Sequence, residues 1–427
     1  MRLLPYICGP WVALAGAFLH PAGAQALEVV AGSDLQAAIA RAPSGEVLEL
    51  APGVYDGPVR IDHPVILKGR AGVVIEGHGN GRTIEVTAPD VTVEGLTIRN
   101  SGRSLERMDA AIFLEKTAAN AVVRDNVLRD NLVGVYVHGA ANALVEGNDI
   151  SGWVAQNLND SGNGVYVWNA PGAKVLDNDI TGGRDGIFVN ASRNNVFEGN
   201  RLHGVRFGIH YMYTNHSEVS GNVSIGNHDG YAIMFSDHLV IRDNVSTGDR
   251  DHGLLFNYAN DSDIDGNVVR GSDRCVFIYN ANKNRFARNW FENCRIGIQF
   301  TAGSERNLMA GNAFVHNRTQ VMYVGTRDLE WSANGLRPAG AGHRRHALSA
   351  QRPGRPHPLA ISGREASGQQ SGAPGPALGA GRVSEPSSRR RGGQLPSDAA
   401  ARDPRSPCRR SRRKGYLEGR RQWMRTS

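Results

Sequence analysis

Short alternating runs recur along the middle of the chain, each opened by a glycine: GVYVH from Gly134, GVYVW from Gly164, GIFVN from Gly186, GIHYM from Gly208, GYAIM from Gly230 and GLLFN from Gly253. Apolar β-branched or aromatic residues at alternate places read as strands, and the Gly, Asn and Asp between the runs read as turns. An asparagine marks the repeat: Asn126, Asn148, Asn178, Asn200, Asn222, Asn244, Asn267, Asn289 and Asn312, at intervals of 22, 30, 22, 22, 22, 23, 22 and 23 residues. The 30-residue interval accommodates an insertion near WVAQNLNDSGN, and Leu96 holds the same place upstream of a further long interval. Two or three short strands per unit, with no helical period, predict an all-β chain. The predicted architecture is a parallel β-helix of about a dozen coils, stacked at the inter-strand spacing of about 4.8 Å. Asparagines repeated at one position of such a stack are expected to form an internal amide ladder.

Alternation then assigns faces. Ile187 and Val189, Ile209 and Tyr211, and Tyr231 and Ile233 are expected to point inward. The opposite parity gives two outward columns. The fourth residue after each opening residue reads His138, Trp168, Asn190, Met212, Met234, Asn257, Tyr279, and the second reads Tyr136, Tyr166, Phe188, His210, Ala232, Leu255, Phe277. A solvated strand face carries Lys, Glu, Ser and Thr, whereas this one is aromatic and apolar over seven coils. Contiguous exposed apolar surface marks a binding site. Tyr136, His138, Tyr166, Trp168, Phe188, Leu255, Phe277 and Tyr279 are therefore the expected partner face.

The flanking segments differ. Residues 1–26 show Arg2, an apolar run and a small-residue end at Ala24-Gln25-Ala26, which predicts a secretory signal peptide and an exported, periplasmic protein. In DLQAAIARAPSGEVLELAPGVYDGPVRI, Leu35, Ile39 and Ala40 predict one face of a short helix capping the open end of the stack. That opening resembles pectate-lyase-like right-handed β-helices, and the resemblance, not the period, carries the handedness. The repeat domain is expected over 27–335. Residues 336–427 hold 19 Arg, one Lys and five acids, so the formal +7 of the whole chain conceals −8 on residues 1–335. This Arg/Pro/Gly/Ser/Ala tail is expected to be disordered. It reads either as a basic arm or, preferably, as a frame-shifted translation of GC-rich DNA, and no nucleic-acid partner is expected. Of the four cysteines, Cys8 leaves with the signal; a Cys275–Cys294 bridge is left open by the sequence.

Candidate chemistry concentrates in GIHYMYTNHSEVSGNVSIGNHDGYAIMFSDH. Met212 and Met234 lie 22 residues apart, as do His216 and His238. His210 and Met212 share one side of a strand, Met234 sits a coil above Met212, and His216 and His238 form a second stacked pair. Imidazole with thioether suits Cu(I) and suits Mg²⁺ or Ca²⁺ poorly. The same residues taken singly also read as gap-filler and surface polarity. A polysaccharide lyase or C5-epimerase is the alternative, with Asp249, Asp251 and His252 or Arg184 and Asp185 as candidates, but no acid-and-base constellation recurs at the spacing that chemistry needs. No P-loop, GxSxG or CxxC motif is present.

The strings GVRFGIHYMYTN, GYAIMFSDHLVIRDN, DRDHGLLFNYANDSDIDGN, CVFIYNANKNRF and CRIGIQFTAGSERN closely resemble the NosD family of exported maturation factors for nitrous oxide reductase. That resemblance implies a periplasmic right-handed β-helix of the carbohydrate-binding/sugar-hydrolase repeat type, acting in copper-site assembly and not on sugars. It implies four partners: an ABC transporter of the NosF ATPase and the NosY membrane subunit, the NosL copper chaperone, and apo nitrous oxide reductase. It does not say which residues hold copper. The text departs from the family after Asn334, where LRPAGAGHRRHALSAQ replaces a further Gly/Asn/Asp- and Trp-containing segment. The closure of the helix is accordingly expected to be missing.

Overall fold

The structure, a computed structural model, describes residues 26–338. The expected signal peptide up to Gln25 and the basic tail from Ala339 onward lie outside the described residues. Within them, each coil contributes one strand to each of three parallel sheets of 14, 12 and 13 strands, in a right-handed parallel β-helix. One coil runs through Glu218–Ser220 in the first sheet, Val223–Ile225 in the third and Asp229–Met234 in the second. The 22-residue period is one rung, because Ile209 pairs with Tyr231, Tyr211 with Ile233 and Met212 with Met234.

The corners follow from the residue before each ladder asparagine. Asp125, Gly147, Asp177, Gly199, Gly221, Asp243 and Gly266 all adopt positive φ, between 53° and 69°. Gly tolerates this left-handed conformation freely and Asp is enriched in it. That is why the repeat reads RDN, EGN, LDN, SGN. Turning there aims each asparagine inward. Asn126 Nδ2 donates to Asn148 Oδ1 at 3.0 Å, and the chain of amides continues through Asn178, Asn200, Asn222, Asn244, Asn267, Asn289 and Asn312 to Asn334. Each amide also serves backbone: Asn222 Nδ2 donates to Phe197 O at 2.8 Å, and its Oδ1 accepts from Asn200 N at 3.0 Å. The ladder thus satisfies buried corner groups whose loss costs about 1–3 kcal/mol apiece.

The inward parity holds. Ile187, Val189, Ile209, Tyr211, Tyr231, Ile233 and Phe256 have no solvent exposure. The Tyr231 hydroxyl donates to Asn222 O at 2.8 Å, which makes a phenol tolerable in this core. The glycine opening each second-sheet strand permits close approach between rungs: a Cβ on Gly208 would meet Gly230 O at 2.6 Å. Cys275 occupies that place one rung above Gly253 and bridges to Cys294, with Cα atoms 5.7 Å apart. The bond left open by the sequence is formed.

Two expectations are adjusted. The capping helix is Leu35–Arg41, N-capped by Asp34, whose side chain accepts from Ala37 N. Its buried face is Leu35, Ala38 and Ile39 and not Ala40, because i, i+3 and i+4 share a face while i+5 has rotated away. At the other end the last described strand is Gly335–Pro338, pairing with Ala313 to Asn317, so the coil runs three residues past 335. Backbone pairing makes no demand on the composition that changes there. The insertion after Gly152 is a loop with a short 3-10 turn, Leu158–Asp160, carrying Val154 and Leu158 exposed.

Candidate functional site

The outer face of the second sheet carries the two expected columns, rung on rung. Tyr136 stacks on Tyr166 at 4.4 Å, Tyr166 on Phe188 at 4.9 Å and Phe188 against His210 at 4.7 Å, after which Ala232, Leu255 and Phe277 follow. His138 stacks on Trp168 at 4.6 Å, and Asn190, Met212, Met234, Asn257 and Tyr279 continue that column. The first column is not an exposed surface. Tyr136, Phe188, His210, Ala232 and Leu255 are buried; Tyr166 and Phe277 are half-buried. A rung spacing close to the thickness of a ring lets each side chain cover the next, and arginines lie over the edges: Arg184 over Phe188, Arg206 over Phe207 and Arg274 over Phe277, at 5.8, 4.3 and 5.3 Å. The accessible part is the second column, half-buried throughout.

At His210 the face becomes polar and stays buried. Asp185 is fully buried; Arg206 donates to it through Nε and Nη2 at 2.8 and 2.7 Å, and His210 Nδ1 through a 3.2 Å contact. Burial by itself would raise the Asp185 carboxyl, but the hydrogen bonds from His210 and Arg206 and the Arg206 charge hold it down to about 2. A carboxylate only accepts, so Nδ1 carries a proton, and whenever Nε2 carries none it presents a lone pair. That Nε2 is buried and has no hydrogen-bond partner among the described residues. Phe188 and Phe207 flank the ring, 4.7 and 5.0 Å away.

His138 Nδ1 and His228 Nδ1 are also buried without a hydrogen-bond partner, but each of these nitrogens faces a carboxylate. His252 Nδ1 donates to Asp229 at 2.8 Å and its Nε2 accepts from Arg274 at 3.2 Å, so both nitrogens are engaged. His228 lies between Asp229 and Asp251, at 3.5 and 3.0 Å; these two neighbouring carboxylates, Asp229 foremost, raise its pKa. His138 faces Glu115 at 3.6 Å. His216 and His238 are exposed and stacked at 4.8 Å with planes 26° apart, at the corner beyond the strand.

Met212 and Met234 are register partners, as expected, and Met234 packs over Phe207, Ala232 and Leu255. Ala232, placed between His210 and Leu255, is the smallest member of its column. Among the described residues no group of three or more His, Cys, Asp or Glu side chains is arranged to hold a metal ion. A copper site here would need thioethers. Of the carboxylates considered for sugar chemistry, Asp249 is buried at a corner, where Ser246 donates to it at 2.6 Å and Asn227 N at 2.8 Å; burial raises its pKa. Asp185 is spent on Arg206 and His210, and Asp251 on His228 and Arg250, at 3.0 and 3.2 Å.

Sequence reasoning missed the Asp185–Arg206–His210 cluster, whose members are 21 and 25 residues apart and meet only across a rung. It also missed Tyr213, Phe235 and Tyr258, one place beyond the methionine column, with φ of 52°, 49° and 51°. Left-handed backbone costs a residue with a Cβ about 1–2 kcal/mol. Three aromatic residues carrying that cost on successive rungs were visible as YTNH, FSDH and YAND at the same period.

A family model described as "Periplasmic copper-binding protein (NosD)" matches residues 152–339. Two relatives named "Probable ABC transporter binding protein NosD" match over most of the chain. The one from Pseudomonas aeruginosa is 41% identical over 300 residues, 67% of this chain and 70% of the relative. The one from Stutzerimonas stutzeri is 38% identical over 309 residues, 69% of this chain and 71% of the relative. Among solved structures, the periplasmic alginate epimerase AlgG is 13% identical with a TM-score of 0.51, covering 72% of this chain and 83% of that one. The N-terminal fragment of bacteriophage Phi29 gene product 12 is 12% identical with a TM-score of 0.52, covering 69% of this chain and 67% of that one. At such identities the two structures show the β-helix fold alone. No helix among the described residues is long and apolar enough to cross a membrane. With two-fifths identity sustained over 70% of a relative's length, the chain belongs to the NosD family of periplasmic copper-binding proteins.

Proposed function

We propose that this chain is a periplasmic accessory protein that takes Cu(I) as cargo on His210, Met212 and Met234, docks on an ABC transporter and serves assembly of the copper centres of nitrous oxide reductase. The observation that carries the reading is the buried, unpartnered Nε2 of His210, oriented by Asp185 beside two register-paired thioethers. A carboxylate behind an imidazole fixes its tautomer and strengthens it as a donor, and thioethers select a soft monovalent ion over Zn²⁺, Mg²⁺ or Ca²⁺. Phe188 and Phe207 keep water from the imidazole. The half-exposed column from His138 and Trp168 to Tyr279 supplies the docking face, with NosF and NosY as the transporter, NosL as the copper donor and apo nitrous oxide reductase as the recipient. ATP hydrolysis belongs to NosF in this scheme, since the chain has no phosphate-binding loop.

Two measurements test it. Cu(I) competition titration should give stoichiometric, thiol-independent binding that the Met212→Leu/Met234→Leu pair weakens; unchanged affinity rejects these ligands. Pull-down from membranes should recover an ABC transporter with the tagged chain, and its absence rejects the docking role.

A further inference from the structure

The rung that carries Tyr213 and His216 begins two ring stacks at the corner between the second and first sheets. Tyr213, Phe235 and Tyr258 hold one corner position on successive rungs, with centroids 5.1 and 5.2 Å apart and planes 17° and 9° apart. His216 and His238 form the neighbouring stack. One rung earlier the same two positions hold Ala191 and Asn194, as the matching rung-to-rung hydrogen bonds of Ala191 with Met212 and Tyr213 with Met234, and of Asn194 with Asn215 and His216 with Asp237, establish. Both stacks therefore stop abruptly. The face of Tyr213 toward the earlier rung has no ring beneath it, and a ledge is left.

A cavity of about 540 Å³ occupies the ledge, lined among others by Asn169, Pro171, Ala191, Arg193, Tyr213 and His216. The Ser192 hydroxyl donates to Ala170 O at 2.8 Å, and the Asn215 side-chain carbonyl accepts from Asp237 N at 2.9 Å. Arg193 is exposed, and its guanidinium has no hydrogen-bond or ion-pair partner among the described residues. Tyr213 itself is 55% exposed although its backbone is in the left-handed region.

We propose that this ledge is a binding slot for a planar aromatic ring that carries or adjoins a carboxylate. The ring extends the stack by one rung, lying on Tyr213 above Ala191, and the carboxylate pairs with Arg193. Ring centroids 4.5–7 Å apart are the favoured stacking range, and one rung fits it. A guanidinium fork matches a carboxylate in two parallel hydrogen bonds. The ring comes either from a free aromatic acid or from a Phe, Tyr or Trp beside an acidic residue of a partner protein. The slot lies apart from the copper reading: Met212 precedes Tyr213 in the chain but belongs to the strand face, not to this corner.

The test uses the full chain and 4-hydroxyphenylacetate as probe, followed by ligand-observed saturation-transfer NMR. One stacked ring and one exposed ion pair give a Kd on the order of 1 mM. Ala191→Phe fills the ledge with the residue type already present at Phe235 and should weaken binding about tenfold or more with circular dichroism unchanged. Tyr213→Leu removes the platform and provides the same readout should Ala191→Phe disturb folding. Arg193→Gln should weaken the acid about fivefold and leave uncharged 4-methylphenol unaffected. Acetyl-Asp-Tyr-amide binding more tightly than the free acid assigns the slot to a protein segment, and weaker binding assigns it to an aromatic acid. Absence of binding to the wild type, equal binding by cyclohexylacetate, or undiminished binding by Ala191→Phe and Tyr213→Leu overturns the proposal.

Discussion

Asp185→Asn is the perturbation that reaches furthest into the site. The carboxylate is fully buried and collects two hydrogen bonds from Arg206 and one from His210, with Arg184 Nε a further 3.5 Å away. Its folded-state pKa of about 2 lies below that of an unfolded aspartate. A shift of that size corresponds to about 2.6 kcal/mol of stability at neutral pH. Because the folded value is the depressed one, this contribution is present above pH ~4 and is lost as pH falls through ~2. Asparagine keeps the shape, removes the charge and leaves the part-buried Arg206 uncompensated. Its unfolding free energy at pH 7 is expected to fall by about 2–3 kcal/mol. Urea denaturation of both proteins, followed by circular dichroism at pH 7, 5, 4 and 3, should show the gap constant down to pH 5 and closing below pH 4. A gap that does not change with pH, or one under about 0.5 kcal/mol at pH 7, would refute the assignment of the charge to this cluster. If His210 is a copper ligand, the same variant should also lose about 10–100-fold in Cu(I) affinity, the usual effect of removing the partner that orients a ligating imidazole.

Three further outcomes are expected. The Met212→Leu/Met234→Leu pair conserves volume and should change stability by less than about 1.5 kcal/mol per site, while Cu(I) competition shows at least a tenfold loss; a large stability change with intact affinity contradicts the ligand assignment. Asn222→Ala removes a donor to Phe197 O and an acceptor for Asn200 N in the middle of the amide ladder, so thermal and urea unfolding should show a loss of about 3–5 kcal/mol; Asn334→Ala, at the half-buried end, should cost clearly less. Cys275→Ala/Cys294→Ala opens a 19-residue loop and should lower the unfolding free energy by about 3 kcal/mol, a difference that disappears when both proteins are compared under reducing conditions.

The β-helix was legible in the sequence because the fold is one-dimensional. Each coil packs only on its neighbours, so a period in the text is a period in space, and Asn126 to Asn312 announce both the rung and the ladder. Inward parity followed for the same reason: Ile209 and Tyr211 alternate with His210 and Met212 along a strand whose side chains change face at every residue. The pairing of Met212 with Met234 also needed only the period. What the sequence did not decide is what one rung does to the next. Tyr136, Phe188 and Leu255 read as exposed and are buried, because rings a rung apart cover each other and arginines close the edges. Arg206 and His210 lie 21 and 25 residues from Asp185 in the text and reach it at 2.7–3.2 Å in space, and nothing in any single repeat joins the three. Whether Cys275 and Cys294 meet, which histidine nitrogens stay unpartnered, and where the aromatic stack stops above Ala191 depend on distances across the stack. Local alternation and turn chemistry set the coil; contacts between rungs set the burial, the tautomers and the ledges on which chemistry and recognition depend.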